Sequence, residues 1–261
     1  MFEELNHLYD KLKNARPLSP ESVRRLSEDF LIDYTYNSNA IEGSTLTLEE
    51  TALVLKEGVT VGGKPLKHHL EAIGHRDAYY YVEDLVKNKI SVSEKIIKDI
   101  HSLVLMDRQM DKGVYRSVPV RVGSFHPCQP YEVPVQMERL MLDYSGDMQK
   151  LHVVERAAAF HLRFETIHPF IDGNGRVGRL LINLELMKEG YPPVNVKFTD
   201  RTKYYDSFSH YRDHDNDASQ MIRLIGGYAA DELKRYIGIA EQSDRLRNNN
   251  SGDCIEEQES G

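Results

Sequence analysis

HPFIDGNGRVGR, residues 168–179, is the stretch whose reading decides the fold. Upstream, residues from His152 to Thr166 repeat apolar side chains at helical spacing; downstream, Val177, Leu180, Leu181, Leu184 and Met187 fall on one stripe of a helix from about Asn174 to Glu189, stopped by Gly190 and Pro192-Pro193. A residue before proline is pushed out of the α region, so the first helix ends near His168. The turn Asp172-Gly173-Asn174-Gly175 admits positive φ and feeds the second helix at its N-terminus. There, unpaired backbone N–H groups and the helix dipole attract anions. Arg176 and Arg179, three positions apart, share one face and can both reach that anion. Asp172 can hold a Mg²⁺ ion that also touches the phosphates. Histidine changes charge near neutral pH, which suits His168 to a general base. The segment therefore reads as a polyphosphate site with a histidine at its edge. The chemistry it implies is attack of a hydroxyl on a nucleotide phosphate, with the proton passing to His168.

Working outward, helical signals dominate. Ser19-Pro20-Glu21 reads as a helix start. Phe30, Tyr34, Asn37 and Ile41 continue the pattern begun by Val23 and Leu26, and Gly43 can close it at C′. Thr47 to Glu50 reads as a capping box opening a helix to about Glu57. Further helices fit His68–Lys87, Ser91–Leu105, Val135–Tyr144, Lys203–Tyr211 and Ala218–Ala240. Residues 118–135 break this habit. Val118, Val120 and Val122 alternate, a turn follows, and "EVPV" alternates again, which predicts a short β-hairpin, with Pro119 and Pro134 confining it to an exposed edge. The fold class is all-α with one small hairpin. The division is residues 1–90 as an N-terminal helical region, 91–240 as a core, and 241–261 as a polar tail with almost no apolar anchors, expected to be disordered.

Bulk properties bound the function. The chain has 261 residues, 40% of them hydrophobic, enough for a sizeable core. A net charge of −8 argues against a broad nucleic-acid-binding face, which needs clustered Lys and Arg. The two cysteines, Cys128 and Cys254, have no metal-like spacing. The opening residues lack the apolar core of a signal peptide, and no stretch approaches a membrane span. A reduced, cytoplasmic setting is expected, with no membrane partner.

The 168–179 segment resembles the signature of the Fic family of AMP transferases, H-P-F-x-D-G-N-G-R-x-x-R, at every defining position. The likeness extends from about Ser38 to Ile225. It implies a Fic-type helical bundle that transfers AMP from ATP to a Ser, Thr or Tyr hydroxyl of a protein, itself included, with release of pyrophosphate. Carried over, it implies His168 as base, Asp172 as ligand for Mg²⁺ (or Mn²⁺), and Gly173, Asn174, Gly175 and Arg176 as the anion cradle. It further implies Arg179 on the γ-phosphate, and Phe170 as an anchor in the core. The 118–135 segment resembles the family's flap, which would hold a target protein by strand addition. "SNAIEG", Ser38 to Gly43, resembles the family's inhibitory helix motif, so Glu42 would pair with Arg179 and Ser38 would face the same way. "DRTKYYDSFSHY" resembles the nucleoside-contacting stretch, with Tyr204 and Tyr205 as candidates; Arg212 stands where many members have Asn. Family members often dimerise, which makes a homodimer an expectation too.

Plainer readings stand beside these. His168 alone would be an ordinary capped histidine, Asp172 a turn residue, Arg179 and Glu42 solvated helix charges, and Tyr204 and Tyr205 packing residues. His210 and His214 have a zinc-like spacing but no third ligand, so a solvated face is favoured. Tyr79, Tyr80 and Tyr81 cannot share one helix face. Three functions compete: an adenylyltransferase restrained by its own helix, a de-AMPylase in which Glu42 orients water, and a nucleotide-binding regulator with little turnover. Against the last, a purely binding module has no need of His168. Transfer of UMP or phosphocholine also occurs in the family, and the 60 or so residues after Asp200 leave no room for a winged-helix DNA-binding domain.

Overall fold

A computed structural model describes residues 1–15 and 20–256. The expected cap Ser19 lies outside them. Ten α-helices carry the described chain: α1 (Phe2–Asn14), α2 (Pro20–Ile41), α3 (Leu48–Glu57), α4 (Leu66–Lys87), α5 (Glu94–Val104), α6 (Val133–Ser145), α7 (Val153–Ile167), α8 (Asn174–Lys188), α9 (Arg201–Asp213) and α10 (Ser219–Glu256). α7 and α8 form the central pair; α4 and α5 pack against α8 on one side, and α10 packs against α7 and α1 on the other. The pair is enclosed by other helices, and α8 buries polar residues such as Arg176, Arg179, Asn183 and Glu185 along with its apolar ones. From α8, Val177, Leu180, Leu181 and Leu184 join the core built with α2, α4 and α5, while Ile182 and Leu186 join a second core with α1, α9 and α10.

Local chemistry sets the boundaries. Thr47 Oγ1 accepts from Glu50 N–H at 3.1 Å and Glu50 Oε2 accepts from Thr47 N–H at 2.8 Å, the full reciprocal capping box. Ser93 caps α5 through Ile96 N–H. α1, which the sequence reading does not place, is amphipathic: Leu5 is buried, and Leu8 and Leu12 pack beside it. α2 and α4 share the first core with α5, α7 and α8, so the boundary drawn at residue 90 is not a gap in packing.

The hairpin does not form. Residues 118–129 contain one isolated antiparallel bridge, Val122 with Phe125, made by hydrogen bonds of 3.0 and 2.9 Å. Pro130 opens a 3-10 turn, and Val133-Pro134 are the first residues of α6. Proline near a helix start costs nothing, because the N–H it lacks would be unpaired there anyway. The second alternation, "EVPV", is thus a helix entry, and one bridge is too little for a ladder once proline removes donors. The backbone of α10 also continues as helix to Glu256, into the stretch expected to be a disordered tail. Among its residues whose side chains are described, the last buried one is Ala240, and no proline interrupts the helix after it; residues 257–261 and the Cys254 side chain lie outside the described part.

Candidate active site

The loop between α7 and α8 carries the site. α7 ends at His168, which adopts the left-handed conformation, φ +50° and ψ +63°. That costs a non-glycine residue about 1 kcal/mol or more. Arg116 offsets the cost: its Nε donates to the His168 carbonyl at 2.8 Å and its Nη2 to the Ile167 and Cys128 carbonyls at 3.3 and 2.5 Å, while its own N–H donates to the Pro169 carbonyl at 2.9 Å. Phe170 is fully buried and stacks on His101 at 3.7 Å between centroids. His101 is held neutral by burial, its pKa lowered to about 4. Its Nδ1 accepts from Gly113 N–H at 2.8 Å, so Nε2 carries the proton and donates to the Asp172 carbonyl at 3.0 Å. Asn174 closes the loop from within, exchanging two 2.9 Å bonds with the Phe170 backbone. Its side chain is therefore a clamp, and only its backbone can face an anion.

The first backbone bond of α8 runs from Val177 N–H to the Gly173 carbonyl, which leaves the N–H groups of Asn174, Gly175 and Arg176 as the open end of the helix. Gly173, with φ +79°, makes the turn into it. Asp172 Oδ1 accepts from Gly173 N–H at 2.6 Å and from Arg176 at 3.2 Å, and Oδ2 faces Lys67 and Arg108 at 3.5 and 3.6 Å. Burial raises the Asp172 pKa, but Arg176, Lys67, the Gly173 bond and Arg108 outweigh it and hold the carboxylate below its ordinary range. Among the described residues no group of three or more His, Cys, Asp or Glu could hold a metal alone. An ionised carboxylate at the rim of an anion cradle, with two half-exposed cations able to swing aside, fits Mg²⁺, which completes its shell with phosphates and water.

Both arginines are buried and already paired. Arg176 bridges Glu71 at 3.0 Å and Asp172, tying α4 to the loop. Arg179 uses four of its five N–H groups: Nε to Ser38 Oγ at 3.0 Å, Nη2 to the Ser38 carbonyl and to Glu42 Oε1 at 2.8 Å each, and Nη1 to the Tyr204 hydroxyl at 3.2 Å. The Ser38 carbonyl belongs to the last turn of α2, which cannot satisfy it internally, so the cation also complements the negative end of that helix. Tyr205, next to Tyr204 on α9, donates to the Ile41 carbonyl at 3.1 Å. The Glu42 carboxylate rests on Gly175, where an added Cβ would collide with Oε1. Only glycine lets that carboxylate reach the cradle.

A cavity of about 410 Å³ opens over Glu42, His168, Gly175, Phe125, Tyr205 and Arg212. The bridged turn at Val122–Phe125 forms one wall, and Arg212 lies 4.4 Å over the Phe125 ring. The structure thus gathers His168, Asp172 to Arg176, Arg179, Ser38 and Glu42 into one site. Tyr204 and Tyr205 line the cavity, though the Tyr204 hydroxyl is committed to Arg179 and to His161 at 2.8 Å. His210 stays outside the site, bonded to Asp217 at 2.8 Å. Sequence reasoning misses His101, Arg116 and Glu165, whose Oε2 lies 3.2 Å from His168 Nδ1. Only Glu165 leaves a local signal, standing three residues before His168 on the same helix.

The buried histidines give the fold a pH dependence. Burial, with Arg179 adding to it, lowers the His161 pKa from 6.5 to about 3 and places that of His75 well below 6.5. Between those values the unfolded chain binds protons that the native chain refuses, so this stability is complete above about pH 7 and falls as pH drops. From pH 7 to 5.5 each group should cost about 1 kcal/mol. Urea unfolding at the two pH values measures the loss, and an unchanged midpoint would reject neutral burial.

Residues 91–186 match the model of the Fic/DOC family. The chain is 33% identical over 257 residues to protein adenylyltransferase fic-1 of Caenorhabditis elegans, covering 96% of this chain and 48% of that one. It is 34% identical over 241 residues to protein adenylyltransferase Fic of Nematostella vectensis, covering 91% and 56%. The chain thus spans about half the length of these curated relatives. Among solved structures, a Fic domain containing signaling protein from Bacteroides thetaiotaomicron superposes with a TM-score of 0.85 at 30% identity, covering 92% of this chain and 97% of that one. Fic-1 from C. elegans gives 0.79 at 30% identity, covering 91% and 70%. With near end-to-end likeness of fold added to the loop geometry and the family match, the chain belongs to the Fic/DOC family.

Proposed function

We propose that the protein is an adenylyltransferase that moves AMP from ATP to a protein hydroxyl and is restrained by Glu42. The observation that carries this reading is the loop itself: His168 at the edge of a cavity whose floor is the open N-terminus of α8. The relatives in C. elegans and N. vectensis are named protein adenylyltransferases, which supports the same reaction. The triphosphate lies along the N–H groups of Asn174, Gly175 and Arg176, with Arg179 toward the γ-phosphate and the nucleoside toward Tyr205 and Arg212. A target Ser, Thr or Tyr hydroxyl attacks the α-phosphorus, its proton passes to His168, and the bond to pyrophosphate breaks. Mg²⁺ (or Mn²⁺) held by Asp172 would neutralise charge on the phosphates. The target segment runs along the exposed stretch from Val118 to Val122, and the protein itself is a candidate target.

In the resting state the Glu42 carboxylate lies on Gly175 and pairs with Arg179, where phosphate would go. Because Glu42 also lines the cavity with His168, it can orient a water toward an AMP-modified hydroxyl, so removal of AMP is the second reading. Incubation with each labelled nucleoside triphosphate and Mg²⁺, alone and with a pre-modified protein, separates the two. No transfer from any of them, with Glu42 intact or replaced by glycine, would reject the first.

Asp172→Ala is expected to shift the Mg²⁺ dependence of transfer to concentrations at least about tenfold higher, since Mg²⁺ bound through phosphates alone loses its one protein anchor. The Gly173 N–H is the one backbone group that the Asp172 side chain satisfies, and Arg176 keeps its second partner Glu71 at 3.0 Å; circular dichroism of the variant checks that the fold survives. A metal titration that overlays the wild type would reduce Asp172 to a turn residue.

A further inference from the structure

Three buried polar atoms lack a hydrogen-bond partner at one place in the site: His168 Nδ1, Glu165 Oε1 and His161 Nδ1. His161 and Glu165 are four apart on α7 and so face the same way. Both lie against the bare Cα of Gly178, where an added Cβ would collide with the His161 ring and sit 3.2 Å from Glu165 Oε1. The second oxygen of Glu165 is 3.2 Å from His168 Nδ1, close but without the alignment of a hydrogen bond. Catalytic hydrogen bonds are often loose before substrate binds and tighten afterwards.

The proton count around Glu165 is constrained. Arg179 donates to the Tyr204 oxygen, so the Tyr204 proton is free to go to His161 Nε2, 2.8 Å away. His161 is kept neutral by burial, so its own proton sits on Nδ1, on the side of Glu165. A carboxylate thus stands between two imidazoles. Among the described residues, only Glu165 comes within ion-pair distance of the His168 ring. The other charged groups nearby are Glu42 from the end of α2, Arg212 from α9 across the cavity, and Arg116, which bonds the His168 carbonyl.

We propose that Glu165 is a positioning residue for His168, holding the ring proton on Nδ1 so that Nε2 is bare toward the incoming hydroxyl. When Nε2 takes that proton, Nδ1 keeps its own, and the resulting cation has the Glu165 carboxylate 3.2 Å away. The kinetic part rests on the AMP-transfer reading; the tautomer does not.

The test is NMR of protein labelled with ¹⁵N-histidine, with the His168 signals identified by their loss in His168→Gln. The wild type should show the Nδ1–H tautomer, and Glu165→Ala should move most of the population to Nε2–H. In a Glu42→Gly background, Glu165→Ala should lower kcat about 10²-fold with KM for ATP changed less than about twofold. Glu165→Gln, whose amide oxygen can still accept from Nδ1–H, should keep the tautomer and recover part of the rate. It is also the variant closest in shape, which guards against misfolding. A packing role would lower the melting temperature and leave the tautomer alone. An Nε2–H tautomer in the wild type, or the same tautomer in wild type and Glu165→Ala, overturns the proposal whatever the activity. A tautomer switch with no transfer by any variant supports the positioning role and rejects the AMP-transfer reading instead.

Discussion

Replacement of His168 by alanine is expected to lower AMP transfer by about 10²–10⁴-fold, with ATP affinity near the wild-type value. The His168 ring lies at the cavity edge, its side chain 16% exposed, while the groups proposed to face phosphate, the first N–H groups of α8 and Arg179, all belong to α8. The loop should keep its shape, because Arg116 grips the backbone carbonyls at 167 and 168 and not the imidazole. Alanine tolerates the left-handed conformation less well than histidine, so His168→Gln makes a fair companion. Labelled AMP incorporation and calorimetric ATP titration of both variants decide the matter. Transfer near the wild-type rate would remove His168 from the mechanism, and joint loss of binding and transfer would point to a collapsed loop.

Removal of the Glu42 carboxylate is expected to act in the opposite direction. Glu42→Gly should raise self-modification roughly 30- to 150-fold, the equivalent of releasing a productive ATP pose held back by ~2–3 kcal/mol. The carboxylate is half-exposed but its partner is not: the Arg179 side chain is 1% exposed. The substitution therefore frees one N–H of a cation that stays fixed by Ser38 and Tyr204. Glu42→Gly combined with Arg179→Ala should fall back to the wild-type rate or lower. Because Arg179 also satisfies the Ser38 carbonyl, circular dichroism must show the double variant folded. Equal rates for wild type and Glu42→Gly would return Glu42 to an ordinary helix end.

What could be read from the sequence follows the range of each interaction. The capping box at Thr47 and the stop at His168-Pro169 are local, and each appears where spacing places it. The loop was legible because its glycines, carboxylate and arginines all fall between Asp172 and Arg179. α1 left its apolar residues at helical spacing, Phe2, Leu5, Leu8 and Leu12, so its signal was present, though a reading for targeting segments passes over it. The hairpin failed because alternation over four residues does not separate a strand from a proline-led first turn of helix. His101 and Arg116 were out of reach for a different reason. Their partners lie 71 and 52 residues away, at the Asp172 and His168 carbonyls, and a carbonyl carries no side-chain identity to pattern against. Tyr204 was half legible: an aromatic at the site, but bonded to an arginine instead of open to a base.

The arrangement of Arg179 bears on how the proposed restraint would be set. Its guanidinium is held by Ser38 of α2 and Tyr204 of α9 as well as by Glu42, and of the pair only the Glu42 carboxylate reaches solvent. A competitor carried on the same chain has a local concentration set by the geometry of one helix end, not by how much protein is present. Dilution cannot relieve it, and a rise in expression cannot deepen it. Within one chain, only something that changes the last turn of α2, or a ligand that wins the cradle outright, alters the occupancy. If the proposed restraint is set in this way, basal output per molecule would stay constant while the abundance of the protein varies.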